Sequence, residues 1–347
     1  MNNTLEKEKL NPTEIHKLIT GFISSKAIFM GIDFGLFTLL DNNARSIEAI
    51  AHDLKLQLRP TRILVQSCKG IGLLQENDGL IQNTPLASAF LVEGKQGYMG
   101  NLAKHQESHY NNFVKLNDAL KNNSSITGRV KKDGYANEGA GANEERQGTR
   151  TFIKAMHASS VVQAKSLVNN SSIKGSHLLD IGCGSAAYSI EYAKQNPHIK
   201  ITAIDYEATC EVAKEFVREQ GLQSQIDFIE GNIFNINLPE EVDTVLLSHV
   251  LDGYGQDKAF EILKKIHGLL PKGGKLIMHA HLPERAETTF PYLFNLILLA
   301  NTEEGEVHGE QTILNWIEQL GFEDIKLKKV SPISSVIEMY KKGEELC

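Results

Sequence analysis

From Pro12 to about Leu91, apolar residues recur at spacings of three and four in TEIHKLITGFISSKAIFMGIDFGLFTLL, SIEAIAHDL and RPTRILVQSCKGIGLL. That period predicts short amphipathic helices separated by turns. Ser46 reads as the cap of the second helix, Pro60 marks the start of the third, and Gly70 and Gly72 mark its end. The LLQENDGLIQNT that follows has the alternation and the Asp-Gly pair of a small hairpin. Helices followed by a hairpin are the outline of a winged helix. The first helix carries Ile23, Ile28, Phe29, Met30, Ile32, Phe34, Leu36 and Phe37 on too many sides for a lone surface helix. Such a face predicts a partner, and a second copy of the chain is the simplest one.

Residues 98 to 170 read as helical at both ends, around the polar, glycine-rich KKDGYANEGAGANEERQGT, which predicts a loop: a substrate lid or a plain surface loop. From Gly175 the period changes. Short apolar runs, SHLLDIG, IKITAID, IDFIEG, VDTVLLSHV and KLIMHAH, alternate with helical stretches, the signature of a doubly wound α/β domain. Three regions are therefore expected: a mainly α winged-helix domain over 12–97, a helical linker and substrate cap over 98–174, and a ligand-binding α/β domain over 175–347. In such a sheet the ligand lies beyond the carboxyl ends of the strands, where the strand order reverses.

Charge and cysteine usage narrow the classes. The 347 residues hold 36 Lys plus Arg against 43 Asp plus Glu, a net charge of −7. Residues 1–95 carry ten basic and ten acidic side chains, whereas a DNA reader needs a basic surplus to displace counterions; no nucleic-acid partner is expected. Cys68, Cys183, Cys210 and Cys347 lie far apart, without metal or disulfide spacing, which fits a reducing cytoplasm. The start, MNNTLEKEKLNP, lacks the apolar core of a signal peptide, and no run reaches the roughly 18 apolar residues of a membrane span.

The chemistry concentrates after the first strand of the α/β region, at Asp180-Ile181-Gly182-Cys183-Gly184-Ser185-Ala186-Ala187. Gly182 and Gly184 allow a tight turn, and the helix behind them offers free N–H groups. GxGxxA also opens dinucleotide sites, and Asp205 at the end of the second strand would hold a ribose in either case. Asp180 decides between them. A carboxylate there repels a pyrophosphate but attracts the ammonium of S-adenosylmethionine.

These segments, LLDIGCGSAAYSI, TAIDYEA, EGNIF, SHVLDGYGQDKAFEILKKIHGLLPKGGKLIM and LNWIEQLGFEDIKL, resemble the successive motifs of class I S-adenosylmethionine-dependent methyltransferases. More narrowly, they resemble the small-molecule O-methyltransferase family, and the N-terminal text is similar to that family's winged-helix dimerisation domain. The resemblance implies a homodimer with a Rossmann-like catalytic domain behind a winged helix. It also implies a cofactor site: Asp180, Gly182 and Gly184 in the glycine motif, Asp205 on the ribose, Asn232 and Ile233 flanking adenine, and Ser248 at the end of a strand. Asn232 replaces the usual Asp; Phe234 faces the adenine ring or fills the core.

The pattern breaks at one place. Where the family resembles H-V-L-H-D-W, with the second histidine taking the acceptor's proton, this chain has His249-Val250-Leu251-Asp252-Gly253-Tyr254. The catalytic position falls on Asp252, a poor base near its ordinary pKa of about 3.9 unless burial raises it. Tyr254 is placed with it, its hydroxyl on the acceptor. His249, with Tyr110, Phe152 and Met156, is placed on the pocket wall. Glu306 matches the family's later acid only loosely. His279 and His281, at i, i+2, suggest a shared strand face, but no third ligand is evident, and no metal is expected. Three chemistries remain open: O-methylation, base-free S-methylation of a thioether, and N- or C-methylation. A non-catalytic S-adenosylmethionine-binding regulator is the reading from a different class.

Overall fold

The computed structural model describes residues 11–95, 97–127, 130–131, 134–135 and 143–343. The core of the expected lid loop, 136–142, and Cys347 lie outside the described residues. The chain forms two compact units, Met1–Ser108 and His109–Cys347.

In the first unit, α1 (Pro12–Asp33) is opened by Asn11, whose side chain accepts from the Thr13 N–H. The first helical stretch does not run on through Leu40. Gly35 turns left-handed (φ 70°) and starts a separate α2 (Leu36–Leu39), which folds Phe37 back so closely that a Cβ on Gly31 would lie 2.6 Å from its ring. Ser46 caps α3 (Ile47–Asp53) by accepting from the Ala49 N–H. Helix α4 (Leu58–Gly70) begins two residues before Pro60, whose missing N–H is harmless in a first turn. Strands β1 (Leu74–Asn77) and β2 (Leu80–Asn83) pair antiparallel around Asp78 and Gly79, both left-handed as a two-residue hairpin requires. They close on a core of Leu36, Phe37, Ile50, Val65 and Ile81, and α5 (Pro85–Phe90) and α6 (Gly100–Asn112) follow. In the first half of α1, ahead of the buried Ala27, Phe29 and Ile32, the apolar Ile15, Leu18, Ile19, Phe22 and Ile23 stay exposed.

The second unit takes in the end of α6 and then α7 (Leu116–Asn122), a short hairpin β3 (Val130–Lys131) and β4 (Gly134–Tyr135), and α8 (Asn143–Val168). The expected loop is therefore shorter than its text. A hairpin takes its start, and α8 takes its end from Asn143, where Glu, Arg and Gln favour helix.

A seven-stranded sheet follows: β5 (His177–Ile181), α9 (Ala187–Gln195), β6 (Lys200–Asp205), α10 (Glu207–Glu219), β7 (Ile226–Glu230), β8 (Thr244–Ser248), α11 (Gln256–Leu269), β9 (Lys275–Ala280), α12 (Phe290–Asn301), α13 (Glu310–Leu320), β10 (Phe322–Ser331) and β11 (Ser334–Lys341). The strand order is β10-β11-β9-β8-β5-β6-β7. The five expected strands are parallel; β11 joins β9 antiparallel and β10 closes the edge. That last hairpin is not among the strands the apolar runs predict. β10 is an edge strand whose lysines and acids break the apolar pattern, and such charge discourages further pairing. The strand order reverses between β5 and β8, so the ends of these two neighbours form the crevice where a ligand is expected.

Candidate active site at the ends of the central strands

The turn after β5 is built from left-handed residues: Gly182 (φ 70°), Gly184 (φ 56°) and Ala186 (φ 57°). Gly182 and Cys183 donate their N–H groups to the Ile204 carbonyl at 2.8 and 3.0 Å, which pins the turn to β6. Asp205, at the end of β6, accepts from the N–H of Gly184 (2.9 Å) and of Tyr206 (2.8 Å). Desolvation raises its pKa to about 6, against these bonds and one from Thr209. Asp180 is buried and accepts from the Ser189 hydroxyl at 2.6 Å. Desolvation, reinforced by the charge of Asp205, raises it to about 7. One of its oxygens is thus committed to α9.

After β7, Asn232 is buried and its side-chain oxygen accepts from the Phe234 N–H at 3.0 Å. Ile233 packs in the core. Phe234 meets Tyr254 edge to face (5.6 Å, 84°) with the Lys258 ammonium 4.5 Å from its ring centre. Tyr254, expected on the acceptor, is a buried core residue and is not among those lining the cleft beside Asp252.

The other half of the crevice is a group of histidines. Ser248 ends β8, and its hydroxyl lies 3.2 Å from His279 Nδ1. His249 turns left-handed (φ 53°), rare for a residue other than glycine. Its Nε2–H donates to the Gln163 amide oxygen on α8 at 3.1 Å, and its ring centre lies 4.4 Å from those of both His279 and His281. His279 is fully engaged, with Tyr188 and Ser248 at Nδ1 and Ser334 at Nε2. His281 Nδ1–H donates to the Ile333 carbonyl at 2.9 Å. Burial holds all three histidines neutral, His279 down to about 3.

Asp252 lies in the turn Leu251–Gly253, only 5% exposed, and its Oδ2 has no hydrogen-bond partner among the described residues. Burial alone pushes it to about 7. His308, which the sequence did not single out, supports this turn from beneath, with Nε2 3.1 Å from the Leu251 carbonyl. The expected pairing of His279 with His281 is not the one that forms. β9 ends at Ala280, so His281 leaves the strand alternation, and one donor atom each from His249, Asp252 and His281 lie within 4.8 Å of one another. The closeness of His249 and Asp252 in the text was the only signal available for this, because His249 is left-handed and precedes the turn Leu251–Gly253.

The two halves touch. A Cβ on Gly182 would lie 2.5 Å from Val250 Cγ2, so the turn beside His249 rests against the glycine loop. Helix α8 spans both: His157 stacks on Phe216 (3.6 Å, 7°) and bonds Ser185 of the loop at 2.9 Å, while Gln163 reaches His249. Phe152 and Met156 are half-buried on α8, four, eleven and seven residues apart from one another and from Gln163, which is one helical stripe. Tyr110 is half-buried on α6; Phe290 and Phe294 of α12 stand edge-on to His281. Glu306 is exposed and bonded by Gln256. No helix among the described residues is long and apolar enough to cross a membrane.

Residues 113–323 match the model of an O-methyltransferase domain, and residues 16–93 that of an O-methyltransferase dimerisation domain. The chain is 25% identical over 320 residues to a 3-hydroxy-5-methyl-1-naphthoate 3-O-methyltransferase of Streptomyces sahachiroi, covering 91% of this chain and 90% of that one. It is 26% identical over 284 residues to the N,N-dimethyltransferase OxyT of Streptomyces rimosus, covering 79% of each. Its fold superimposes on human N-acetylserotonin methyltransferase in complex with S-adenosylmethionine with a TM-score of 0.79 at 22% identity, over 99% of this chain and 100% of that one. A glycine loop bonded to the acid that ends β6, a methyltransferase strand order and a helical dimerisation domain agree with these matches, and the chain belongs to the S-adenosylmethionine-dependent O-methyltransferase family.

Proposed function

We propose that the chain transfers a methyl group to a hydroxyl of a small-molecule acceptor seated at Asp252. The observation that carries this is the buried, unpartnered oxygen of Asp252 at the end of β8, in a turn whose Val250 rests against the glycine loop. A buried acceptor atom without a donor is costly, and an incoming hydroxyl relieves it. S-adenosylmethionine supplies an electrophilic methyl on a sulfonium. Gly182, Gly184 and Asp205 would hold its ribose side, Asn232, Ile233 and Phe234 its adenine, and Asp180 and Ser248 border its amino-acid end. The donor set fits: a carboxylate offers about four acceptor positions, and Gly184, Tyr206 and Thr209 leave one on Asp205 for a ribose hydroxyl.

The acceptor is small and partly apolar, bounded by Phe152 and Met156 on α8 and by Phe290 and Phe294 on α12. A phenolic hydroxyl of an aromatic acid, the kind of group named for the Streptomyces sahachiroi relative, suits that wall. The regions 12–97, 98–174 and 175–347 serve as dimerisation domain, cap and catalytic domain. The exposed apolar face of α1 supports a homodimer, and the free, buried Cys68, Cys183 and Cys210 support a cytoplasmic setting. Purified protein with S-adenosylmethionine and a panel of phenols, carboxylic acids, thioethers, amines and keto acids tests the activity by S-adenosylhomocysteine release and product mass. Turnover of a hydroxyl is expected. Turnover of a thioether alone replaces it by S-methylation, and cofactor binding without any turnover replaces it by a non-catalytic regulator.

A further inference from the structure

We propose that His249, Asp252 and His281 form a binding site for one divalent transition-metal ion, with coordination positions left open for an oxyanion of the acceptor. The acceptor half rests on the methyl-transfer reading above; the metal half does not.

Three observations converge. One donor atom from each residue lies within 4.8 Å of the others. Around a metal with bonds of about 2.0–2.2 Å, donors stand roughly 3–3.5 Å apart, so the group closes by small side-chain rotations. Second, hydrogen bonds fix which nitrogens are bare. The Gln163 amide oxygen takes the proton of His249 Nε2, and the Ile333 carbonyl takes that of His281 Nδ1. This leaves a lone pair on His249 Nδ1 and on His281 Nε2, the arrangement in which an outer partner orients a metal-binding imidazole. Third, His249 Nδ1 and Asp252 Oδ2 are both buried without a hydrogen-bond partner among the described residues. Two orphaned buried atoms on residues of one such cluster are explained together by a single ion, whereas each alone is a desolvation cost. His279, the nearest other imidazole, has both nitrogens occupied by hydroxyls and stands outside the set.

Two imidazoles and one carboxylate suit zinc, iron, cobalt or nickel better than magnesium or calcium, which prefer oxygen alone. The protein supplies one negative charge to a doubly charged ion, so the site retains one positive charge. An acceptor presenting a single oxyanion, a phenolate, enolate or carboxylate, completes it.

Chelator-treated full-length protein titrated with Co²⁺ tests the proposal by the visible absorption of the bound ion, with Zn²⁺ competition as a second probe. One equivalent per chain is expected. Asp252→Asn and His281→Ala are expected to weaken it at least a hundredfold, and Gln163→Leu, which only misplaces His249, about tenfold. S-adenosylmethionine binding checks that each variant folds. No Co²⁺ or Zn²⁺ uptake at micromolar metal by wild-type protein that binds the cofactor overturns the site, as does uptake unaffected by both substitutions. Hydroxyl turnover by metal-free protein, undiminished relative to metal-loaded protein, keeps the methyl-transfer reading and removes the acceptor half of this one. Stoichiometric metal with no turnover of any acceptor does the reverse.

Discussion

The two ends of one crevice bury charge in opposite ways. Beyond β5 and β6, Asp180 and Asp205 are surrounded by donors from Ser189, Gly184 and Tyr206, and burial still holds their pKa values up at about 7 and 6. Beyond β8 and β9, burial instead keeps His249, His279 and His281 neutral, and Asp252 stands among them with an unmatched oxygen. The first end is finished by its own backbone; the second is unfinished without something that enters. A polar group that the protein satisfies holds the shape of the loop, and one that it leaves unsatisfied marks where an external atom belongs.

Substitutions separate the two ends. Asp252→Asn is expected to lower turnover at least a hundredfold while S-adenosylmethionine affinity stays within twofold, read by product formation and by calorimetry. A parallel loss of affinity would show that the ends are not independent. Gly182→Ala attacks their contact, because it adds a side chain at φ 70° that meets Val250 Cγ2 at 2.5 Å. A loss of about 2–3 kcal/mol in denaturant unfolding is expected, and Val250→Ala in the same chain should restore part of it. Asp205→Ala should weaken the cofactor about tenfold, roughly 1.5 kcal/mol for a charge-assisted bond, and should also lower stability in denaturant unfolding by about 1 kcal/mol, because the Gly184 and Tyr206 N–H groups lose their acceptor.

The smallest effect is one of pH. Without ligand, Asp205 and Asp180 keep protons up to about pH 6 and 7. A cationic cofactor favours their ionised forms, so binding releases protons and affinity rises with pH through that window. Up to about tenfold tightening between pH 5 and 7.5 is expected by calorimetry, corresponding to about one unit of pKa change on binding. Asp205→Asn should flatten it. A pH-independent affinity in the wild type would mean that neither carboxyl changes its proton when the cofactor binds.

The glycine-loop end of the crevice was legible in the sequence because it is local. Left-handed turns need glycine, and Gly182 and Gly184 stand together in the text, with Asp205 at the end of the next apolar run. The five parallel strands were legible for the same reason, since each is a contiguous apolar stretch. The histidine end is assembled from α8, β8, the turn after it and the residue beyond β9, and no period links Gln163 to His249 or Asp252 to His281. Strand alternation pointed to His279 with His281, and the end of β9 at Ala280 undoes it. Tyr254 was read from its distance to Asp252, but the turn between them sends its ring into the core beside Phe234. The edge strand β10 was obscured by charge that protects the edge, and β11, which pairs between it and β9, was missed with it.

The left-handed backbone at His249 has a consequence for how this crevice can change over generations. At φ 53° a β-branched or bulky side chain is strained, and glycine, asparagine, aspartate and histidine are the residues that occupy such a position with least cost. Three of those four carry an atom that can accept a hydrogen bond or bind a metal. The chain path thus filters the substitutions open to position 249 toward residues that keep a ligating group in place, so drift there would alter the chemistry of the crevice before it abolished it.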